Sequence, residues 1–160
     1  MHPAYSFFLL TTLIGVGKGL FLALYTGHVY SLANLLPAQD SLRFYAIGSI
    51  LSLALLAGGL LASFFHLGHP ERAWRAASQW RTSWLSREVI VLPAFMSLVL
   101  LYALTHYFHL TLPLFTVADT LAVDATLIIG LVASVLAFVL FLCTAMIYAS
   151  VRFVQEWHCA

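Results

Sequence analysis

The sequence predicts an all-α integral membrane protein, a bundle of four transmembrane helices forming a single domain over residues 1–160. Hydrophobic residues make up 62% of the chain and charged residues only 8%, against about 25% in an average soluble domain. So few charges cannot cover a water-soluble globule, which argues against a soluble enzyme and a disordered chain. A net charge of +1 also gives no basic field to attract nucleic acid, so no nucleic-acid partner is expected.

The apolar residues fall into long runs, each able to supply the roughly 20 residues that a spanning helix needs. The predicted spans are residues 5–32, 42–67, 87–110 and 124–153. The runs are continuous rather than alternating, which favours helices over a β-barrel. The first run lacks a basic start and a cleavage site of small residues, so it is interpreted as a retained helix rather than a signal peptide.

The arginines predict the orientation of the bundle. Those on one side are Arg72, Arg75, Arg81, Arg87 and Arg152, in or next to the second loop and the C-terminus. Only Arg43 lies on the other side. Because basic residues concentrate on the cytoplasmic side, the second loop and both termini are predicted to be cytoplasmic.

A short interfacial helix is predicted in the second loop. Pro70 stands at its first position and Glu71 in its first turn, both typical of helix starts. Arg72 and Arg75 fall on one face and Trp74 on another, as in helices that lie in the membrane interface. The basic face, with Arg81 beyond it, could dock a partner or bind lipid headgroups, and the pattern alone favours neither.

Two ionisable residues are predicted to lie at the same depth, at the cytoplasmic boundary. His66 ends the second span and Glu88 begins the third, and a short loop joins the two spans. One interpretation is structural: a histidine at a helix C-terminus and a first-turn acid beneath a Ser N-cap. The other is a shared proton-handling site, because an imidazole titrates near neutral pH and a carboxylate can assist it.

Lys18 lies deep inside the first span, where a charge is costly and therefore a functional candidate. It is expected to face the bundle, a cavity or the interface. Glu88 is expected to be too shallow to pair with it directly, and Asp124 near the opposite boundary is a possible partner. Lys18 is also the sole support for a third, weaker alternative, a small transporter.

A second histidine group lies near the predicted outer boundary. His28 ends the first span, and His106 and His109 end the third on a shared helix face. One interpretation is a b-type haem held by His28 with His106 or His109. Interfacial histidines beside tyrosines are the favoured interpretation, because a haem bundle usually places its ligands well inside the membrane.

Several motifs together resemble the membrane anchor subunits of dimethyl-sulfoxide reductase and its relatives, the DmsC-type anchors. The specific block is SFFHLGHPERAW at residues 63–74 followed by TSWLSREV at 82–89. Weaker matches are HPAYS at 2–6, LFLAL at 20–24, MIYAS at 146–150 and RFVQEW at 152–157. The chain is similar to the N-terminal half of an eight-helix anchor, and among its branches to the dimethyl-sulfoxide reductase and sulfite dehydrogenase anchors.

This resemblance implies a non-catalytic anchor in the bacterial cytoplasmic (inner) membrane. It implies that menaquinol or ubiquinol binds, that no haem is present, and that His66, Glu88 and Arg72 form the quinol site. The partners would be an iron–sulfur electron-transfer subunit and a molybdopterin catalytic subunit, docked on Arg72, Arg75 and Arg81, with lipid around the helices. The alternatives are the haem-carrying cytochrome b-type subunit above and a purely structural membrane tether.

Overall fold

A computed structural model describes residues 3–33, 35, 42–64, 75, 78–108, 110, 113–117 and 121–150. Its helices are α1 (Pro3–Leu32), α2 (Leu42–Phe64), α3 (Trp84–Tyr107) and α4 (Ala125–Ser150). Each is long and apolar enough to cross a membrane, which confirms the predicted bundle of transmembrane helices. Two short strands, β1 (Pro113–Val117) and β2 (Leu121–Asp124), lie between α3 and α4.

The helix α3 begins three residues before the predicted start of its span. Ser83 has an extended backbone (φ −115°, ψ 126°), and its hydroxyl oxygen accepts a hydrogen bond from the Ser86 N–H at 3.5 Å. Ser83 is therefore the N-cap. Ser86 becomes a buried residue inside the helix. The predicted ends of the second and fourth spans, residues 65–67 and 151–153, lie outside the described residues.

Each helix packs against the next along the chain, and α1 also meets α4. The bundle interior is built from fully buried rings and small residues. Phe21 of α1 packs edge-on against Phe95 of α3, with ring centroids 5.5 Å apart. Between α1 and α2, a side chain at Gly17 would come within 2.8 Å of Leu56, so this glycine allows the close approach of the two helices. The Ser52 hydroxyl fixes the crossing by donating to the Gly17 carbonyl oxygen at 2.8 Å.

The outer faces of the helices are apolar, as expected where lipid rather than water surrounds them. The largest exposed side chains include Phe8, Val16, Ile47, Leu61 and Phe138, each more than half exposed. A water-soluble protein rarely exposes apolar surface on this scale. The bundle thus buries its polar side chains inside and presents hydrocarbon outside.

In the loops, one predicted element is not confirmed and one unpredicted element is present. The predicted interfacial helix after Pro70 is not confirmed, because residues 71–74 and 76–77 lie outside the described residues and Ser78 and Gln79 form only a 3₁₀ turn. The third loop contains an unpredicted antiparallel strand pair, in which Val117 is opposite Leu121 and Pro113 opposite Asp124.

Candidate functional site

The alternating helix directions create two ends of the bundle. The Glu88 end contains the N-terminal halves of α1 and α3 and the C-terminal half of α4, and the His106 end contains the opposite halves. Glu88 and His106 are 18 residues apart on α3, which corresponds to about 27 Å along the helix axis. Ionisable side chains occupy both ends, so each end is a candidate site.

Glu88 lies in the second turn of α3 and is directed towards α4. The Thr144 hydroxyl donates to Glu88 Oε1 at 2.9 Å and lies equally close to the Leu140 carbonyl oxygen. The structural interpretation of Glu88 as a first-turn acid is wrong, because Ser83 rather than Ser86 caps the helix and the first turn contains no acidic residue. The carboxylate is half-buried inside the bundle instead.

Lys18 reaches the same end from α1. Its side chain is only 3% exposed, and Nζ lies 4.5 Å from the centroid of the Phe141 ring. Helical side chains lean towards the N-terminus of their helix, which directs Lys18 towards the Glu88 end. The carboxylate that acts electrostatically on Lys18 is Glu88. Asp124, the possible partner considered from the sequence, lies instead at the His106 end, directly before α4, and acts electrostatically on His28.

The other sequence-predicted residues of this end are placed only in part. His66 and Arg72 lie outside the described residues. Arg75 and Arg81 are exposed, as a docking surface requires. The guanidinium of Arg81 stacks over the Trp80 ring at 5.3 Å.

Arg87 fixes the segment that precedes α3. Its Nε donates to the Trp80 carbonyl oxygen and its Nη2 to the Arg81 carbonyl oxygen, both at 3.0 Å. The guanidinium also lies 4.2 Å from the centroid of the Trp84 ring. Arg87 therefore has a structural role that holds the exposed Arg81 against the start of the helix.

At the His106 end, two histidines and two tyrosines pack into one buried cluster. His28 and His106 have ring centroids 5.1 Å apart, and Tyr45 of α2 lies 5.0 and 5.3 Å from them. Tyr102 Oη lies 2.9 Å from His28 Nδ1. Both ring nitrogens of His106 are buried without a hydrogen-bond partner in the described part of the chain. His109 lies outside the described residues.

The cluster brings together one of the two histidine pairs considered for a haem, and the packing of this His28–His106 pair does not fit one; the pair of His28 with His109 lies partly outside the described residues. Two axial imidazoles bind one iron through nitrogens about 4 Å apart, which places their ring centroids about 6 Å apart with a porphyrin between them. The His28 and His106 rings are closer than this, and Tyr45 and Tyr102 contact both of them. Among the described residues no group of three or more His, Cys, Asp or Glu side chains could hold a metal ion.

An apolar layer separates the two ends. Phe21, Phe95 and Val99 are fully buried at its centre, and the Phe21 ring also packs edge-on against Tyr102 at 5.5 Å. No hydrogen-bonded chain of described side chains crosses this layer. Among the described side chains, no hydrogen bonds therefore connect the two ends, and we treat them as separate candidate sites.

Sequence reasoning missed Thr144 and Tyr45, whereas it placed tyrosines, including Tyr102, beside the histidines. Thr144 stands in the apolar run of α4, and a polar residue inside a span is a recognisable sign of an interhelical hydrogen bond. Tyr102 and His106 are four residues apart on α3 and therefore share a face. Tyr45 carries no such signal, because its contact with the histidines depends on how α2 packs.

Comparisons with known proteins show which family and which relative the chain is similar to. The family described as DMSO reductase anchor subunit (DmsC) matches residues 1–160. A sulfite dehydrogenase subunit of Allochromatium vinosum is 60% identical over 158 residues, which cover 99% of this chain and 48% of that protein. The chain thus spans about half the length of this curated relative. No solved structure matches the chain.

Proposed function

This chain belongs to the DMSO reductase anchor subunit (DmsC) family, and on that basis we propose that it binds a quinol or quinone at its Glu88 end. It is a multi-pass membrane protein of an anchor type that serves oxidoreductase complexes. Its relative is named as a subunit of sulfite dehydrogenase, which supports a role as one part of such a complex. The ligand would be menaquinol or ubiquinol, and the chain itself would be non-catalytic.

One observation carries the choice of site. Glu88 is held inside the bundle, one turn deeper than a capping acid, by the Thr144 hydroxyl at 2.9 Å. A carboxylate inside a membrane bundle is costly and is retained where it has chemistry to perform. At the His106 end, by contrast, the four described rings are closed against one another.

The proposed chemistry is proton handling at a quinone oxygen. The quinone supplies the redox chemistry, because its reduction takes up two electrons and two protons. Glu88 holds or accepts one proton at its carboxylate, and His66 is proposed to do the same at its imidazole. Thr144 orients the carboxylate through its hydroxyl. Arg72 completes the proposed site through the family block of residues 63–74.

The electron partner is proposed to dock at the same end. An iron–sulfur subunit that exchanges electrons with the quinone, and a molybdopterin catalytic subunit behind it, would fit an anchor of this family. Arg75 and Arg81 are exposed beside the start of α3, and Arg72 precedes them in the same loop. Reversing Arg75 and Arg81 to glutamate is expected to weaken subunit association more at low than at high salt.

The test uses the intact complex in native membranes and two variants, His66→Ala and Glu88→Gln. A fluorescent quinol analogue is titrated, and its quenching gives the dissociation constant. Both variants are expected to weaken binding, because His66→Ala removes the imidazole and Glu88→Gln replaces the carboxylate with an amide that cannot accept or release a proton of the quinol. The matched control is Ser134→Ala, which removes a buried α4 hydroxyl that bonds only to its own helix. Unchanged binding in both site variants, with normal assembly, would remove this assignment.

A further inference from the structure

Lys18 is a buried cation that has no role in the chemistry proposed above. It stands ten residues inside the span that begins at Phe8, about 15 Å along the helix. Only 3% of it is exposed. A cation at this depth is expensive unless something compensates it, so its surroundings indicate its role.

The Lys18 ammonium has three N–H donors, and no described residue accepts a hydrogen bond from it. Its direct contact is the Phe141 ring, 4.5 Å away, which interacts with the charge but accepts no conventional hydrogen bond. Glu88 acts on it electrostatically, yet Glu88 Oε1 is engaged by the Thr144 hydroxyl. The three N–H donors of Lys18 are therefore available to an acceptor atom that a ligand would supply.

The positions on α4 show where that ligand would lie. Phe141 and Thr144 are three residues apart and therefore neighbours on one face of the helix. Lys18 contacts Phe141 and Glu88 contacts Thr144, so the ammonium and the carboxylate flank the same turn of α4. A cationic donor and a carboxylate therefore lie against adjacent positions on one face of α4.

We infer that Lys18 donates a hydrogen bond to one oxygen of the quinone ring and stabilises the negative charge that this oxygen gains on reduction. The inference rests on the proposed function and deepens it. In the reducing direction the ring takes two electrons from an iron–sulfur cluster of the partner subunit and two protons, one from the Glu88 carboxylic acid and one from the His66 imidazolium. Lys18 keeps its own protons throughout, and the reverse direction returns the two protons to Glu88 and His66.

The first experiment compares three variants of α1 in the intact complex. Lys18→Met removes the charge at similar length, and Lys18→Arg keeps it. Val16→Met places the same methionine on the exposed face of the helix, where Val16 is 57% exposed. The probe is a fluorescent heptyl-hydroxyquinoline N-oxide, whose negatively charged oxygen mimics the reduced ring.

Lys18→Met is expected to weaken binding of this probe at least tenfold. Lys18→Arg is expected to stay within about threefold of the unmodified complex, and Val16→Met to leave binding unchanged. Equal binding by Lys18→Met and Val16→Met would overturn the inference. So would a loss in Lys18→Arg as large as that in Lys18→Met while the complex still assembles, because packing rather than charge would then explain it.

A double variant separates a contact with the ring from a simple counter-ion role. If Lys18 contacts the ring, Lys18→Met weakens binding further when Glu88→Gln is already present. If Lys18 only neutralises Glu88, its effect disappears in that background and the inference fails.

Failure of the inference and failure of the proposed function give different results. Weakened binding in Glu88→Gln and His66→Ala with normal binding in Lys18→Met would leave the quinol site in place and remove Lys18 from it. Normal binding in all three would remove the site itself. Copurification of the partner subunits with each variant shows whether the chain has folded and assembled.

Discussion

The Glu88 end and the His106 end both bury ionisable side chains, but they accommodate them in opposite ways. At the Glu88 end Lys18 and Glu88 lie against neighbouring residues of α4, and no described residue accepts a hydrogen bond from the Lys18 ammonium. At the His106 end two imidazoles and two phenols pack ring against ring, with centroid distances of 4.5 to 6.1 Å. The polar atoms without partners, the Lys18 ammonium at one end and the His106 ring nitrogens at the other, therefore have different surroundings: an aromatic ring and a carboxylate-bearing helix face in the first case, four packed rings in the second.

The apolar layer between the two ends also restricts the movement of protons from one end of the bundle to the other. Phe21, Phe95 and Val99 separate the two ends, and none can carry a proton. Protons exchanged with a quinone at Glu88 are therefore expected to enter and leave at the Glu88 end. Substitutions at one end should accordingly leave the properties of the other end unchanged.

The largest effect is expected from removing the central ring of the His106 end. Tyr102 is fully buried against Phe21, His28 and His106. Tyr102→Ala should lower the free energy of unfolding by about 3–5 kcal/mol, because it leaves a large cavity. Denaturation of the purified complex in detergent measures this change.

Tyr102→Phe is the control for the same position, since it keeps the ring and removes only the hydroxyl that meets His28. Its cost should be about 1 kcal/mol. Quinol binding per folded complex should be unchanged in both variants. A loss of quinol binding in Tyr102→Phe would contradict the independence of the two ends.

The next largest effect is expected at the Glu88 end, on catalysis rather than stability. Glu88→Gln keeps the shape of the side chain and removes its ability to hold a transferable proton. Quinol-linked turnover should fall about 100-fold, the lower range for loss of a general acid or base. Steady-state kinetics of the whole complex measures it, and Glu88→Asp should recover part of the rate. Full activity of Glu88→Gln would show that this carboxylate transfers no proton.

A smaller effect is expected from the residue that orients Glu88. Thr144→Val removes the 2.9 Å hydrogen bond and keeps the volume, so quinol-linked turnover should fall about tenfold, as for a hydrogen bond to a charged group. Ser134→Ala, which removes a hydroxyl from the same helix, should change it little. Equal effects of the two substitutions would indicate a general loss of packing instead.

The last prediction is that a haem absorption band is absent. Because the His28 and His106 rings are too close for a porphyrin between them, the complex should show no haem absorption that depends on His106. An absorption spectrum of the purified complex, before and after His106→Phe, checks it. A Soret band that disappears in His106→Phe would revive the haem alternative.

The sequence predicts the helices well because a span depends on local composition. Four long apolar runs suffice, since a bilayer requires each backbone to satisfy its own hydrogen bonds. The first residue of α3 is harder to predict from the sequence. Ser83 and Ser86 are both followed by residues that can begin a helix, and only the backbone conformation shows that Ser83 is the N-cap. The strand pair between β1 and β2 has no strong local signal, so it was missed.

For the candidate site, the sequence predicts only the depth of residues along the helices, and for His66 that depth stays a prediction because the residue lies outside the described part of the chain. His66 and Glu88 could be assigned to one end from the order of the helices, and that requires no packing information. The approach of Lys18 to Glu88 depends on the rotation of α1 and α4, which neither residue's neighbours encode. The same limitation hid the closure of His28 and His106 by Tyr45, because that contact depends on the rotation of α2.

The central claim, that quinone binds at the Glu88 end, is tested most directly by photolabelling with an azido-quinone in the intact complex. The label should attach to peptides from the N-terminal part of α3 and the C-terminal part of α4, near Glu88 and Thr144. It should be displaced by excess quinol and lost in Glu88→Gln but retained in His106→Phe. Labelling confined to the peptides around His28 and Tyr102, lost in His106→Phe and retained in Glu88→Gln, would contradict the account.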